Sequence, residues 1–344
     1  MVPAISSQDR VYEGLLNRKA YPHKVANIQT ESTHISWIFL AGPYAYKVKK
    51  QIKFGEILDF STLDLRKKYC YKEVELNRRL CRDLYLGVIR IVMVPGEYNN
   101  RVSIVNSSRK EGKVVEYAVK MKRIAPEYRM DRLLTDHKIG DMHIRKIASI
   151  LNRFHSTALS SRAIQRYGHP NFMKFKIKEN FYMLARLGCQ TSRAGHRLIK
   201  FVENNEQFFL DRIDKMKIRD IHGDLYLKNI FIVEDRKYYL YDRIEFNDSL
   251  RYADVAEDVA HLCMDLDYHR RKDLQTFFVK DYISRSGDYS LEKILGFLIC
   301  YKAFVRAKVL SFQARFETAK PRKSQLFKEA NAHILLAEQY IKNI

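Results

Sequence analysis

A chain of 344 residues with 62 basic and 40 acidic side chains carries a formal charge of +22, with an isoelectric point near 9.7. That excess points to anionic partners such as nucleotides or phosphorylated metabolites. It is scattered through runs at 66–68, 78–79 and 270–272 rather than held in one arm, which makes a nucleic-acid partner unlikely. Hydrophobic residues at 46% and aromatics at 12% exclude a disordered chain. Cys70, Cys81, Cys189, Cys263 and Cys300 form no C-x-x-C pair, and no histidines cluster at metal-ligand spacing, as expected of free thiols in a reducing compartment. The start, MVPAISSQDRVYEGLL, has no signal-peptide pattern, and the longest apolar run, ILGFLICY, is too short to span a bilayer. A cytoplasmic protein with no membrane partner is expected.

In chain order, residues 33–50 (THISWIFLAGPYAYKVKK) predict a hairpin turning at Gly42-Pro43. A helix is expected from about Asp64 to Leu84. Strands follow at 87–94, 101–105 and 114–124, separated by the turns PGEYNN and RKEGK. Beyond Pro126 the pattern is mainly helical, with two short strands expected at 229–234 and 237–242. The fold class is therefore α+β in two lobes. A small β-rich N-lobe with one helix (1–123) would bind nucleotide, and a larger helical C-lobe (124–344) would carry the catalytic loop and the acceptor-binding helices.

The stretch IHGDLYLKNIFIVEDRKYYLYDRIEFND, residues 221–248, concentrates the chemistry. Phosphoryl transfer needs a carboxylate near the acceptor hydroxyl and oxygen ligands for magnesium. Kinase catalytic loops place an Asp as base, an Asn five residues on as a metal ligand, and a second metal-binding Asp after a short hairpin. Asp224, Asn229 and Asp242 match that order, and His222 would hold the loop in place. A hairpin merely capped by polar residues is the rival, and the three-part pattern makes it the weaker one.

A kinase also needs a lysine for the nucleotide's phosphates and a glutamate to hold it. Alternation in AYKVKK puts Ala45, Lys47 and Lys49 on one face, so Ala45 would lie under the base and Lys47 would take the phosphates, with Lys49 as runner-up. An exposed basic edge strand would look the same. On the following helix, Glu73 lies on the apolar face with Leu65, Tyr69 and Leu76, while Glu75 points away. A carboxylate there requires a cation, either Lys47 or a basic residue of the same helix. No G-x-x-x-x-G-K-[ST] and no G-x-G-x-x-G is present, so Thr33, His34 and Ser36 in the first turn are the candidates to cover the phosphates.

Three further groups stand out. Asp254 and Asp258 are expected on one helix face as structural braces. Glu245 and Arg251 either shape the acceptor site or form loop salt bridges. In the apolar helix expected at 293–316, Lys302 and Arg306 share one face, and Tyr301 and Lys308 another. Pairing with the acidic helix around Asp258 and Asp265 is the expectation for these buried cations. If Arg306 and Tyr301 line a pocket instead, the acceptor is anionic and a polycationic aminoglycoside is poorly matched.

With these residues placed, the chain resembles the aminoglycoside phosphotransferase and choline kinase-like superfamily, whose hallmark is H-G-D-L-x-x-x-N. It is most similar to an uncharacterised bacterial family within it, through AYKVKK, LDFSTL, ELNRRL, DLYLGV, YAVKMKR, IEFNDSLRYADVAEDVAHLCMDLD and FVRAKV. In many such proteins a P-loop ATPase domain follows. The resemblance implies a protein-kinase-like fold using ATP and Mg2+, with Asp224 as base, Asn229 and Asp242 on metal, and Lys47 with Glu73 as phosphate clamp. It also implies that Lys122, Arg123 and Ile124 approach the adenine through their backbone. Asp242-Arg243-Ile244 stands where protein kinases have D-F-G, and no A-P-E follows, which favours a small-molecule acceptor. Two other function classes stay open: a nucleotide-binding sensor without turnover, and a nucleic-acid-binding module.

Overall fold

The computed structural model describes residues 7–95, 101–105 and 112–344. They fall into two compact units: the chain up to Pro126 together with Tyr239–Asn247, and Glu127–Tyr238 together with Asp248–Ile344. The chain thus returns to the first unit after leaving it, which a single division between 123 and 124 does not describe.

In the first unit, α1 (Ser7–Leu15) is followed by β1 (Ile28–Ser32), β2 (Ser36–Ala41), β3 (Tyr44–Lys49) and the two-residue strands β4 (Lys53–Phe54) and β5 (Leu58–Asp59). Next come α2 (Leu63–Asn77), β6 (Tyr85–Val94), β7 (Arg101–Val105) and β8 (Lys113–Lys122). Six strands form one antiparallel sheet in the order β1-β2-β3-β8-β6-β7. The expected hairpin is β2–β3, and its turn needs Gly42 at φ +58°, where a Cβ would be strained. Strand alternation then divides β3. Tyr46 and Val48 join Phe39, Ile89, Ile91 and the α1 residues Val11 and Leu15 in a core, leaving Ala45, Lys47 and Lys49 to the other face.

Thr62 caps α2 by accepting the Leu65 N–H at 3.2 Å. The helix stops at Asn77, well short of Leu84, and the Asn77 carbonyl closes one further turn by accepting the N–H groups of Leu80 (3.1 Å) and Cys81 (2.8 Å). No glycine or proline marks that end, so the helical pattern overran it. The turn PGEYNN beyond Pro95, and RKEGK before Gly112, lie outside the described residues.

The second unit holds α3 (Met130–Thr135), α4 (Asp141–Ser156), α5 (Arg162–Gln165), α6 (Pro170–Arg186), α7 (Ser192–Asn204) and α8 (Glu206–Asp214). Strand β9 (Ile218–Asp220) leads through residues 221–229 to β10 (Ile230–Val233); β11 (Lys237–Leu240) carries the chain out of the unit, and β12 (Tyr252–Asp254) follows its return. Then come α9 (Ala256–Tyr268), α10 (Lys272–Ser286), α11 (Leu291–Phe316) and α12 (Lys320–Ile341). β9 and β12 pair antiparallel, Asp220 opposite Tyr252, and neither was legible because three residues are too few to show alternation. This also corrects the expected brace. Asp254 lies in β12 rather than on a helix with Asp258, and it binds Arg212, which is 1% exposed and also held by Asp288 and Ser290. No helix among the described residues is long and apolar enough to cross a membrane.

Candidate active site

In the first unit, residues distant in sequence meet on the lysine face of β3. Lys47 Nζ lies 3.0 Å from Glu73 Oε1 and 2.6 Å from Asp242 Oδ1. Lys49 Nζ donates to Glu73 Oε2 at 2.7 Å and to Glu245, and it sits 4.8 Å above the Phe60 ring. Glu73 is thus the shared acceptor of both lysines, not the partner of a cation on its own helix, and Glu75 is exposed. Lys47 is 6% exposed and Lys49 is fully enclosed, which separates two lysines that alternation left equivalent.

Burial alone would lower both lysines and raise the carboxyls. At Lys47 it is outweighed by Asp242, Glu73 and Glu245, which hold the ammonium well above its ordinary range. At Glu73 it is outweighed by Lys47 and Lys49, which bring the carboxyl down to about 2. Two cations face three carboxylates here, and Glu245 is pushed up, by burial and by Glu73.

The segment carrying Asp242 is fixed by contacts that the sequence did not announce. Asn77 donates to the Glu73 carbonyl at 2.9 Å and accepts the Arg243 N–H at 2.8 Å, so the glutamate and the residue after Asp242 share one anchor. Arg243 also donates to the Leu76 carbonyl at 3.0 Å, and Tyr239 donates to Asp83 at 2.8 Å. Asp242 itself adopts φ +70°, a conformation uncommon outside glycine, and its side chain is 36% exposed.

The other nucleotide candidates are all in this unit. Thr33 Oγ1 accepts the N–H groups of Ile35 (3.3 Å) and Ser36 (2.9 Å), so those two donors are spent inside the turn. Ser36 is buried, while Thr33 and His34 are exposed. At the end of β8, the Lys122 and Arg123 N–H groups donate to the carbonyls of Leu84 (3.0 Å) and Pro43 (2.9 Å).

In the second unit, residues 222–229 are hung on α9. Asp258 accepts the backbone N–H groups of His222 (2.7 Å) and Gly223 (2.9 Å), and His155 Nε2 lies 3.0 Å from it. Burial would raise its carboxyl, but these partners hold it well below the usual range. Asp265 accepts the Leu227 N–H at 2.8 Å. His222 Nδ1 accepts the Asp224 N–H at 3.3 Å, and Asn229 donates to the Asp224 carbonyl at 2.9 Å and to Asp224 Oδ2 at 3.3 Å. Asp224 keeps 40% of its side chain exposed.

The remaining candidates divide. Arg251 is 2% exposed and binds Asp220 and Asp248, and Glu245 binds Lys49, so both form the salt bridges that were the alternative to an acceptor role. Lys302 pairs with the acidic helix, though through Glu257 (2.8 Å), which Lys176 also binds. Tyr301 is buried beside them, 5.8 Å from Lys176. Arg306 has no carboxylate partner within 4.0 Å among the described residues; its guanidinium lies 4.4 Å from the Tyr226 ring centroid.

Burial would raise Glu257, but Lys176 and Lys302 outweigh it and bring the carboxyl down to about 2. The unfolded chain therefore takes up this proton first as pH falls. Stability present above the ordinary carboxylate value is lost between about pH 4.5 and 2, by about 3 kcal/mol for a shift of this size. Urea unfolding from pH 7 to pH 3 should show about 2 kcal/mol of that loss. Glu257→Gln should be less stable at pH 7 yet depend less on pH, and an unchanged dependence would contradict the assignment.

Magnesium takes oxygen ligands and is commonly held by one or two side chains plus the nucleotide's phosphates. Asn229, in the second unit, spends its amide nitrogen on Asp224, and Asp242, in the first, is partly exposed, so each side chain by itself suits such an ion. Among the described residues no three or more His, Cys, Asp or Glu side chains could hold a metal unaided.

No family model matches the chain. An uncharacterized protein of Mycobacterium tuberculosis is 33% identical over 322 residues, covering 92% of this chain and 60% of that protein, and one of Mycobacterium bovis matches equally. The chain therefore spans about 60% of the length of the curated relatives it matches. Among solved structures, a choline kinase from Cryptosporidium parvum is 9% identical with a TM-score of 0.53, covering 97% of this chain and 95% of that one. The GDP complex of aminoglycoside 2'-phosphotransferase-IIIa is 12% identical with a TM-score of 0.51, covering 98% and 99%.

Proposed function

From a chain with the two-lobed protein-kinase-like fold of aminoglycoside phosphotransferases and choline kinases, we propose a phosphotransferase that moves the γ-phosphoryl group of ATP to a hydroxyl of a small molecule. The observation that carries the reading is the contact of Lys47 with both Glu73 and Asp242. A buried lysine is costly without a counter-ion, and one carboxylate would offset its charge; here a second is present, a partly exposed aspartate in an unusual backbone conformation.

In this assignment the hydroxyl oxygen forms a bond to the γ-phosphorus while the bond from that phosphorus to the bridging oxygen breaks, releasing the nucleoside diphosphate. Asp224 takes the hydroxyl proton. Asn229 and His222 hold Asp224 in place through its carboxylate, carbonyl and N–H, and Asp258 fixes the backbone ahead of it. Lys47, oriented by Glu73, binds the nucleotide's phosphates, and Lys49 keeps Glu73 ionised from the enclosed side. Asn229 and Asp242 would each offer an oxygen to magnesium, which would neutralise charge on the phosphates.

Calorimetric titration of a non-hydrolysable ATP analogue tests the site. We expect magnesium-dependent binding in the wild type, loss of the magnesium dependence in Asp242→Asn, and loss of transfer in that variant. Retained turnover in Asp242→Asn would remove the metal assignment.

A further inference from the structure

Beside the proposed base lies positive charge that has no contacting carboxylate among the described residues. Arg306, from the second half of α11, lies over Tyr226; the Tyr226 ring stacks on His261 with centroids 5.6 Å apart and planes 13° apart; and His261 Nδ1 is 3.9 Å from Asp224 Oδ1. A run of three side chains therefore leads from a guanidinium to the carboxylate that would receive the proton. His261 is 3% exposed, and neither ring nitrogen has a hydrogen-bond partner among the described residues. Leaving both nitrogens of a buried imidazole unused is unfavourable unless something else fills them.

The neighbours of Arg306 sharpen the contrast. On the same helix Lys302 has Glu257 at 2.8 Å and Lys308 has Glu179 at 3.1 Å. Arg306 is hydrogen-bonded to the Tyr226 side chain and feels the charges of Asp224 and Asp265 but contacts neither carboxylate, and Asp265 accepts the Leu227 N–H (2.8 Å) with His269 at 3.8 Å. Lys228, one residue before Asn229, also has no carboxylate within 4.0 Å among the described residues; Arg306 is close enough to repel it, and Glu329 and Asp131 act on it only from beyond that distance. The pairing seen at Lys302 and Lys308 is thus absent at the two cations associated with the catalytic loop. Partly buried cations left so are stabilised when a ligand supplies the anion.

We propose that the acceptor is an anionic alcohol, bearing a phosphate or carboxylate that Arg306 and Lys228 bind while its hydroxyl meets Asp224 beside His261. This rests on the kinase reading and names its substrate class. Cationic acceptors of the choline or aminoglycoside kind would be repelled by the same two groups.

The test fills the nucleotide site with magnesium and a non-hydrolysable ATP analogue, then titrates sulfate and acetate separately, following binding by NMR. Saturable binding of at least one anion is expected, weakened roughly 10-fold or more in Arg306→Gln and several-fold in Lys228→Gln. Sulfate alone would identify a phosphorylated acceptor, and acetate alone a carboxylate. Each variant is first shown to unfold cooperatively, and if Arg306→Gln does not fold, Lys228→Gln decides. Absence of saturable binding, or binding untouched by the substitutions, overturns the proposal while leaving the kinase reading intact. Failure of the analogue to bind in the first step would overturn both.

Discussion

Asp224→Asn should lower the rate of phosphoryl transfer roughly 10²- to 10⁴-fold, the usual contribution of a general base, with little effect on nucleotide affinity. The substitution is nearly isosteric. The Asn229 amide can still donate to the carbonyl of residue 224 and to the remaining side-chain oxygen, so the loop keeps its shape. What is lost is the group that accepts the hydroxyl proton. The turnover number at saturating nucleotide and the analogue's dissociation constant, measured on the same preparation, separate chemistry from binding. A variant that retains wild-type turnover would show that Asp224 is not the base.

The second large effect separates Lys47 from Lys49. Lys49→Met should destabilise the protein by about 3–5 kcal/mol, because it removes the only cation contacting Glu245 among the described residues and one of the two holding Glu73. Glu245 is 3% exposed and cannot recover its hydration. Adding Glu245→Leu to Lys49→Met should restore much of the loss, since it removes the stranded carboxyl as well. Lys47→Met should instead abolish transfer while costing less stability, because Asp242 is partly exposed and can turn to water. Urea unfolding of the four proteins with parallel activity assays checks this. A Lys49→Met variant as stable as wild type would dissolve the distinction.

The parts of this arrangement that a sequence could reveal are those written in short-range spacing. Alternation along β3 put Lys47 and Lys49 on one face, helical periodicity selected Glu73 over Glu75, and the interval from Asp224 to Asn229 spans one loop. What could not be read depends on contacts across long separations. Nothing near Asn77 says that its side chain will hold Arg243, 166 residues away. Asp242 gives no local sign of a positive φ, because aspartate tolerates that conformation without requiring it. The end of α2 at Asn77 was hidden by the absence of a breaker, and β9 and β12 were too short for any period. Arg306 and Lys302 looked alike on one helix face, and only the placement of Glu257 makes one a paired cation and leaves the other over Tyr226.

The most direct test of the central claim is an untargeted phosphorylation assay. The protein, magnesium and ATP are incubated with a small-molecule cell extract, and new phosphorylated masses are sought by mass spectrometry, with Asp224→Asn as the control. The account predicts at least one new phosphorylated metabolite that is absent with the control. An extract that yields no Asp224-dependent product, from protein that demonstrably binds magnesium and ATP, would contradict phosphoryl transfer and assign the fold to nucleotide sensing.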